Sequence, residues 1–212
     1  MTTTHAPELT ALYTARRNVV TLVEVPELLF CSVDGRGAPG DRAFAEAIKG
    51  VYTVGYGVRF LRRDAGHDDK VSPLEALWTS PDPAGDYAAA AAAGGFTATD
   101  MSRWSWRVLL RLPDEAEGLV DRVKAEAVRR HPEVEPVVAA VGVQRWREGL
   151  AVQTLHVGPY GEELPTVALL HDFAAAHGYV ATGRHHEIYL GDPRRAAPER
   201  LRTILRQPVR PA

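Results

Sequence analysis

At 212 residues the chain is long enough to bury a sizeable core, either as one domain or as two small fused halves. Its formal net charge of -2 offers no broad basic surface, which argues against a general binder of phosphate backbones and so against nucleic acid as a partner. The one cysteine, Cys31, lies in the apolar run 28–33. It excludes an internal disulfide framework, fits a reducing cytoplasm, and is expected to be a small core filler rather than a catalytic thiol. No apolar run approaches the roughly 20 residues that a membrane-spanning helix needs. The first seven residues also lack the basic and apolar regions of a signal peptide, so a soluble cytoplasmic protein is expected.

In chain order, residues 1–22 read as a polar N-terminal arm with a helical turn around 9–13. Residues 23–34 have strand character and end at the glycine-rich turn 35–40. Asp41 is a good N-cap for a helix to about residue 63, with Phe44, Ile48, Val51, Tyr52 and Gly55 at helical spacing. A charged loop over 65–72 leads to a short strand at 74–79. An irregular connection over 80–99 holds Tyr87 and an alanine run, and a long strand follows at 104–112. Residues 114–131 form an amphipathic connecting helix, with Leu119, Val120 and Val123 packing and the charged residues in water. The segments 137–147 and 151–157 read as a strand pair joined by a tight turn at Glu148-Gly149. After Gly158-Pro159-Tyr160-Gly161, Glu162 or Glu163 opens a helix over 165–177. Residues 185–190 form a strand, 198–204 a helical turn, and 206–210 a closing strand.

The most informative stretch is 183–195. Strand alternation places His185, Glu187 and Tyr189 on one face and His186, Ile188 and Leu190 on the other. One of those faces must hold an unusual acid. A carboxylate drawn out of water finds a partner, raises its pKa, or awaits a ligand. Glu75-Ala76-Leu77-Trp78 in an earlier strand offers a matching acid and aromatic. The expected fold is therefore α+β: a pseudo-twofold domain over 23–210 made of two β-α-β-β units, about 23–112 and 113–210. It would have an antiparallel sheet, helices on one side, and a ligand cleft between the halves.

Ser32-Val33-Asp34-Gly35-Arg36-Gly37, Glu75-Ala76-Leu77-Trp78, Trp104-Ser105-Trp106, Leu155-His156-Val157-Gly158-Pro159-Tyr160 and 185–190 with Asp192-Pro193-Arg194-Arg195 resemble the GyrI-like small-molecule-binding proteins, in the right order over roughly 23–210. The resemblance implies an SHS2-like fold and a lipophilic aromatic ligand. The domain also occurs fused to helix-turn-helix regulators, but the arm before Val23 is too short for one. Standalone members resemble a branch that includes cyclopropanoid cyclopropyl hydrolases, which open the strained ring of DNA-alkylating compounds such as yatakemycin and CC-1065.

For an extended aromatic ligand, Trp78, Trp104, Trp106, Trp146, Tyr56, Tyr160 and Tyr189 are candidate walls, and His156 is a further candidate ligand-binding residue. Glu187 matches the acid that meets cationic aromatic ligands in binding members and is implicated in activating water in the hydrolases. Tyr189, Tyr160, Tyr56 or a tryptophan N–H could donate a hydrogen bond to a substrate carbonyl as negative charge develops there. Pairing of Glu187 with Arg184 or Arg195 is the purely structural alternative.

Gly35 to Gly40 fits G-x-G-x-x-G, but Pro39 removes a backbone donor and no acid ends a second strand about 20 residues on, so no dinucleotide is expected. His185 and His186 diverge on neighbouring strand positions, so no metal is expected either. Nor is there a Gly-x-Ser-x-Gly elbow. No cofactor is implied. Three functions stay open: a hydrolase of cyclopropane-bearing genotoxins, a sequestering or sensing protein, and a protein-interaction role such as shielding gyrase, suggested only by the family's name.

Overall fold

A computed structural model describes residues 6–82 and 101–212. The expected 80–99 connection, with Tyr87 and the alanine run, lies almost wholly outside the described residues. The elements run α1 (Ala6–Leu12), β1 (Thr21–Arg36), α2 (Arg42–Asp64), β2 (Leu74–Thr79), β3 (Ser105–Leu112), α3 (Val120–Arg130), α4 (Glu135–Ala139), β4 (Gly142–Val157), α5 (Leu164–Ala176), β5 (Tyr179–Ala181), β6 (His185–Tyr189) and β7 (Arg202–Pro211). This is an α+β fold with antiparallel strand pairing, and no described helix is long and apolar enough to cross a membrane. The chain forms two compact units, each assembled from separate stretches: one from 1–27, 77–97 and 147–212, the other from 28–76 and 98–146.

In the unit built on 28–76 and 98–146, β1 and β3 pair antiparallel from Leu29 opposite Leu112 to Arg36 opposite Ser105. α2 packs on β3 through Phe44, Val51, Val54 and Val58, all buried at the helical spacing that the sequence shows. Its first turn follows Asp41, which closes the glycine-rich turn by accepting the Ala38 N–H at 2.8 Å rather than by capping the helix. Trp106 stands edge-on to Phe44, with centroids 5.1 Å apart, and covers Gly35 so closely that a Cβ there would fall 2.2 Å from its ring. Only glycine permits that approach. Cys31 is buried against Val51 O and Leu110 O, and burial pushes its thiol up to about 12, as suits an inert core group.

Three sequence-based expectations are corrected. The 137–147 strand begins only at Gly142; before it, Val134, Val138 and Val141 are buried at helical spacing, and Pro136 opens the short helix α4, where a missing N–H costs nothing. Glu148-Gly149 is no hairpin turn. Gly149 takes φ 79°, and the chain continues as the single 16-residue strand β4. The helical turn expected over 198–204 ends at Arg200, and β7 already runs from Arg202. Both faces of β7 are covered, so its residues 203–209 are all buried and no period-2 pattern marks the strand.

In the other unit, β7 pairs with β4 on one side and β6 on the other. α5 lies on one face through Val167 and Leu170, which pack with Leu205 and Val152. The opposite face holds Leu155, Ile188 and Ile204, with Tyr13 and Ala15 of the N-terminal arm against them. Beside this cluster, the Glu148 side chain is fully buried, with Oε1 3.0 Å from Nδ1 of His186 and Oε2 accepting from Arg206 Nη1 at 3.0 Å. Arg206 continues to Gln153 Oε1 and Leu12 O, and Gln153 donates to Ala11 O and Thr14 O. The arm is thus fastened to the sheet by a hydrogen-bonded network.

Burial alone would raise the Glu148 pKa, but His186 and Arg206 outweigh it and hold the carboxyl below its usual range. A lowered folded pKa stabilises above the unfolded value of 4.5 and is lost as pH falls through the folded value. Glu148→Gln leaves the buried Arg206 guanidinium without its carboxylate and removes the acceptor of His186, and is expected to cost about 3–5 kcal/mol at pH 7. Thermal melts should show that deficit shrinking as pH falls below the ordinary carboxylate range; a variant as stable as wild type at pH 7 would refute the network's role.

Candidate functional site

The β6–β7 register sets the site. Glu187 is opposite Leu205 and Tyr189 opposite Thr203, whereas His186 is opposite Arg206 and Ile188 opposite Ile204. Directly opposed residues of an antiparallel pair share a face. Leu205 packs against α5, so Glu187 and Tyr189 look toward α5, while His186 joins Glu148 on the other side. The expected alternation of 185–190 holds. His185 and His186 diverge as expected.

Tyr189 donates its phenolic O–H to Glu187 Oε2 at 2.7 Å. The Glu187 side chain remains 15% exposed, enough for a small molecule to touch but too little for full hydration. Burial pushes its pKa up from 4.5 to about 7, partly offset by the Tyr189 hydrogen bond, the Trp78 indole N–H and the charge of His186. Burial also raises Tyr189 well above its ordinary value, as does the neighbouring Glu187 carboxylate, so the phenol stays a donor.

A second acid stands beside this pair. Glu163, the residue before α5, turns its side chain inward and is 8% exposed, while Glu162 faces solvent. Its Oε1 has no hydrogen-bond partner among the described residues. Burial and then the charge of Glu187 raise its pKa well above the ordinary value, with the Thr203 hydroxyl opposing. Tyr160 meets Tyr189 edge-to-face, with centroids 5.6 Å apart and planes at 78°, and stays 38% exposed. Burial, then Glu163, Glu187 and Asp192, push its phenol up to about 12. In the sequence the two acids at 162–163 are interchangeable as a helix opening. Only packing decides which one turns inward.

Of the residues singled out from the sequence, Glu187, Tyr189, Trp78 and Tyr160 come together. His156 is fully engaged in holding a turn. Its Nε2 donates to Pro159 O at 3.2 Å, so Nδ1 is unprotonated and accepts from Thr166 Oγ1 at 3.1 Å. Burial lowers its pKa, in keeping with that neutral tautomer. Trp104, Trp106, Trp146 and Tyr56 belong to the other unit. Trp104 and Trp106 are buried there, Trp146 packs on Phe30 at 5.9 Å, and Tyr56 lies on the exposed face of α2 between Tyr52 and Phe60. His185 shares the Glu187 face. It is buried with its Nε2 3.9 Å from Glu187 Oε1, and burial, with His171 and His186, lowers its pKa to about 3, leaving it neutral. In the loop after β6, Asp192 is held by the Arg194 guanidinium at 3.0 Å.

An acid with a raised folded pKa stabilises nothing when ionised. Below 4.5 both folded and unfolded chains carry the proton. Above about 7 only the folded state bears a poorly hydrated anion, a penalty of up to about 3–4 kcal/mol at about 1.4 kcal/mol per pH unit. Glu187→Gln is therefore expected to raise the melting temperature at pH 8, with the gain fading toward pH 4.5. Equal melting temperatures at pH 8 would contradict the raised pKa.

A family model described as the GyrI-like small molecule binding domain matches residues 19–210. Among solved structures, an uncharacterized conserved protein from Listeria innocua is 35% identical, with TM-score 0.82 over 96% of this chain and 98% of its own. A hydrolase encoded by lin2189 from the same organism is 33% identical, with TM-score 0.81 over 96% and 97%, and another Listeria innocua structure described as a hydrolase is 32% identical, with TM-score 0.78 over 96% and 98%. The EcmrR C-terminal domain, at 14% identity and TM-score 0.53 over 92% and 98%, shares the fold alone. No curated protein matches the chain. With nearly its whole length matched by the family model and three solved structures above 30% identity, the chain belongs to the GyrI-like small-molecule-binding domain family.

Proposed function

We propose that this protein binds a lipophilic aromatic small molecule beside Glu187 and hydrolyses cyclopropanoid DNA-alkylating compounds of the yatakemycin and CC-1065 type by adding water, which would protect the cell that makes it. The observation that carries this reading is the half-dry Glu187 carboxyl, with its pKa near 7 and its position fixed by Tyr189. Such a group is a better base than a hydrated carboxylate and is still ionised in useful amount at neutral pH. The two Listeria innocua relatives described as hydrolases support the reaction class.

In the step we envisage, Glu187 takes a proton from water as the water oxygen bonds to the cyclopropane carbon. The ring C–C bond breaks and its electron pair flows through the conjugated system onto the carbonyl oxygen. That oxygen is then protonated, giving an alcohol and a phenol whose sum is substrate plus one water. Tyr160 and Trp78 provide aromatic surface and N–H or O–H donors at the same place.

Incubation with a cyclopropanoid alkylator, followed by mass spectrometry, should show the gain of one water. Glu187→Gln should keep ligand binding, read by tryptophan fluorescence, and lose turnover by about 100- to 10,000-fold. Turnover should rise about tenfold per pH unit below pH 7 and level off above it, as Glu187 ionises. Wild-type turnover in the variant would remove Glu187 from the mechanism. Quenching of tryptophan with the compound recovered unchanged would instead identify a protein that sequesters such molecules.

A further inference from the structure

Glu163 is an inward-turned acid beside Glu187 that the water-activation step leaves unused. It precedes α5, the helix that covers the Glu187 face of β6 and β7. Its carboxyl feels Thr203, which lies opposite Tyr189 in the β6–β7 pairing, and the charge of Glu187, and three residues earlier Tyr160 meets the Tyr189 ring, so Glu163 stands on the same face as the Tyr189–Glu187 hydrogen bond. It is more than nine-tenths buried, and one of its oxygens has no partner among the described residues. A buried carboxylate with an unsatisfied oxygen is costly, whereas a protonated carboxyl needs less and can donate. Two carboxyl groups sharing a water-poor site do not both ionise at neutral pH.

We propose that Glu163 and Glu187 hold one proton between them, and that Glu163 is the proton donor to the substrate oxygen on which negative charge collects. This rests on the hydrolytic reading above. The step balances within the pair. Water gives a proton to Glu187 and its oxygen to the ring carbon; the cleaved C–C pair moves to the carbonyl oxygen; Glu163 gives that oxygen its proton. The site begins with the proton on Glu163 and ends with it on Glu187, so one transfer between the two carboxyls restores the starting state without a proton from bulk water.

The order of the two acids agrees with this division of work. After burial, the charge of Glu187 is itself a cause of the high Glu163 pKa, so ionisation of Glu187 opposes loss of a proton from Glu163. The groups that face the pair are Tyr189 and His185 from β6, Trp78 from β2, Thr203 from β7 and Tyr160 from the turn before α5; His186 acts from the far face. The two phenols are raised and His185 is neutral, so none of these three carries charge at neutral pH.

The test combines a titration with a rate. In protein carrying carbonyl-labelled glutamate, carbon NMR should show two carboxyls titrating above the ordinary range in separate steps, Glu187 first and Glu163 higher. Glu187→Gln should bring the Glu163 step down by removing the like charge. Glu163→Gln should bind a cyclopropanoid alkylator within a few-fold of wild type, yet add water at least about 100-fold more slowly at every pH. A Glu163 that titrates with ordinary carboxyls, or a Glu163→Gln variant with wild-type turnover, would overturn the proposal. Should wild type fail to add water to the alkylator, the hydrolytic reading and the donor role fall together, while the NMR titration still decides whether the pair shares a proton.

Discussion

The site depends on the different partners that one short strand offers to two acids. On one face of β6, His186 and Arg206 meet Glu148 with three short charge-assisted contacts, and the carboxylate is more stable there than in water. On the other face, Glu187 has a phenol, an indole N–H and little water, and its anion is less stable than in water. The same residue type thus lies below its usual pKa on one side of the sheet and above it on the other. The compensated acid fastens the fold. The undercompensated one remains available for chemistry.

That contrast explains where stability and reactivity are separated. The Glu148 network extends through Gln153 and Leu12 into the N-terminal arm, tying residues 11–14 to β4 and β7. It holds β6 from behind and fixes which residues face α5. Glu187 then needs no cation of its own to stay in place, because its strand is anchored elsewhere. A salt bridge at Glu187 would stabilise the molecule but draw the carboxyl back into the range where it is a feeble base.

Aromatic residues divide in a similar way. Trp106 is committed to packing against Phe44 and over Gly35, and Trp146 rests on Phe30. Trp78, Tyr160 and Tyr189 surround the acids, where an edge-to-face contact and hydrogen-bond donors orient them without sealing the place from solvent. Tyr189 and Trp78 differ from the other aromatics in that their polar ends act on the Glu187 carboxyl, a distinction that counting tryptophans does not make.

Local pattern in the sequence determined a good deal. Period-2 alternation in 185–190 put Glu187 and Tyr189 on one face, helical spacing set the buried side of α2, and the bounds of β2 follow from its apolar run. These features are readable because each concerns neighbours a few positions apart. Tertiary structure alone decided that Glu163 rather than Glu162 turns inward. It also decided that Glu148 is a buried anchor rather than a hairpin tip. In each case the deciding partner is distant in the chain or the choice lies between adjacent, chemically equal residues. A carboxyl's pKa depends on which groups surround it in space, and periodicity does not encode that.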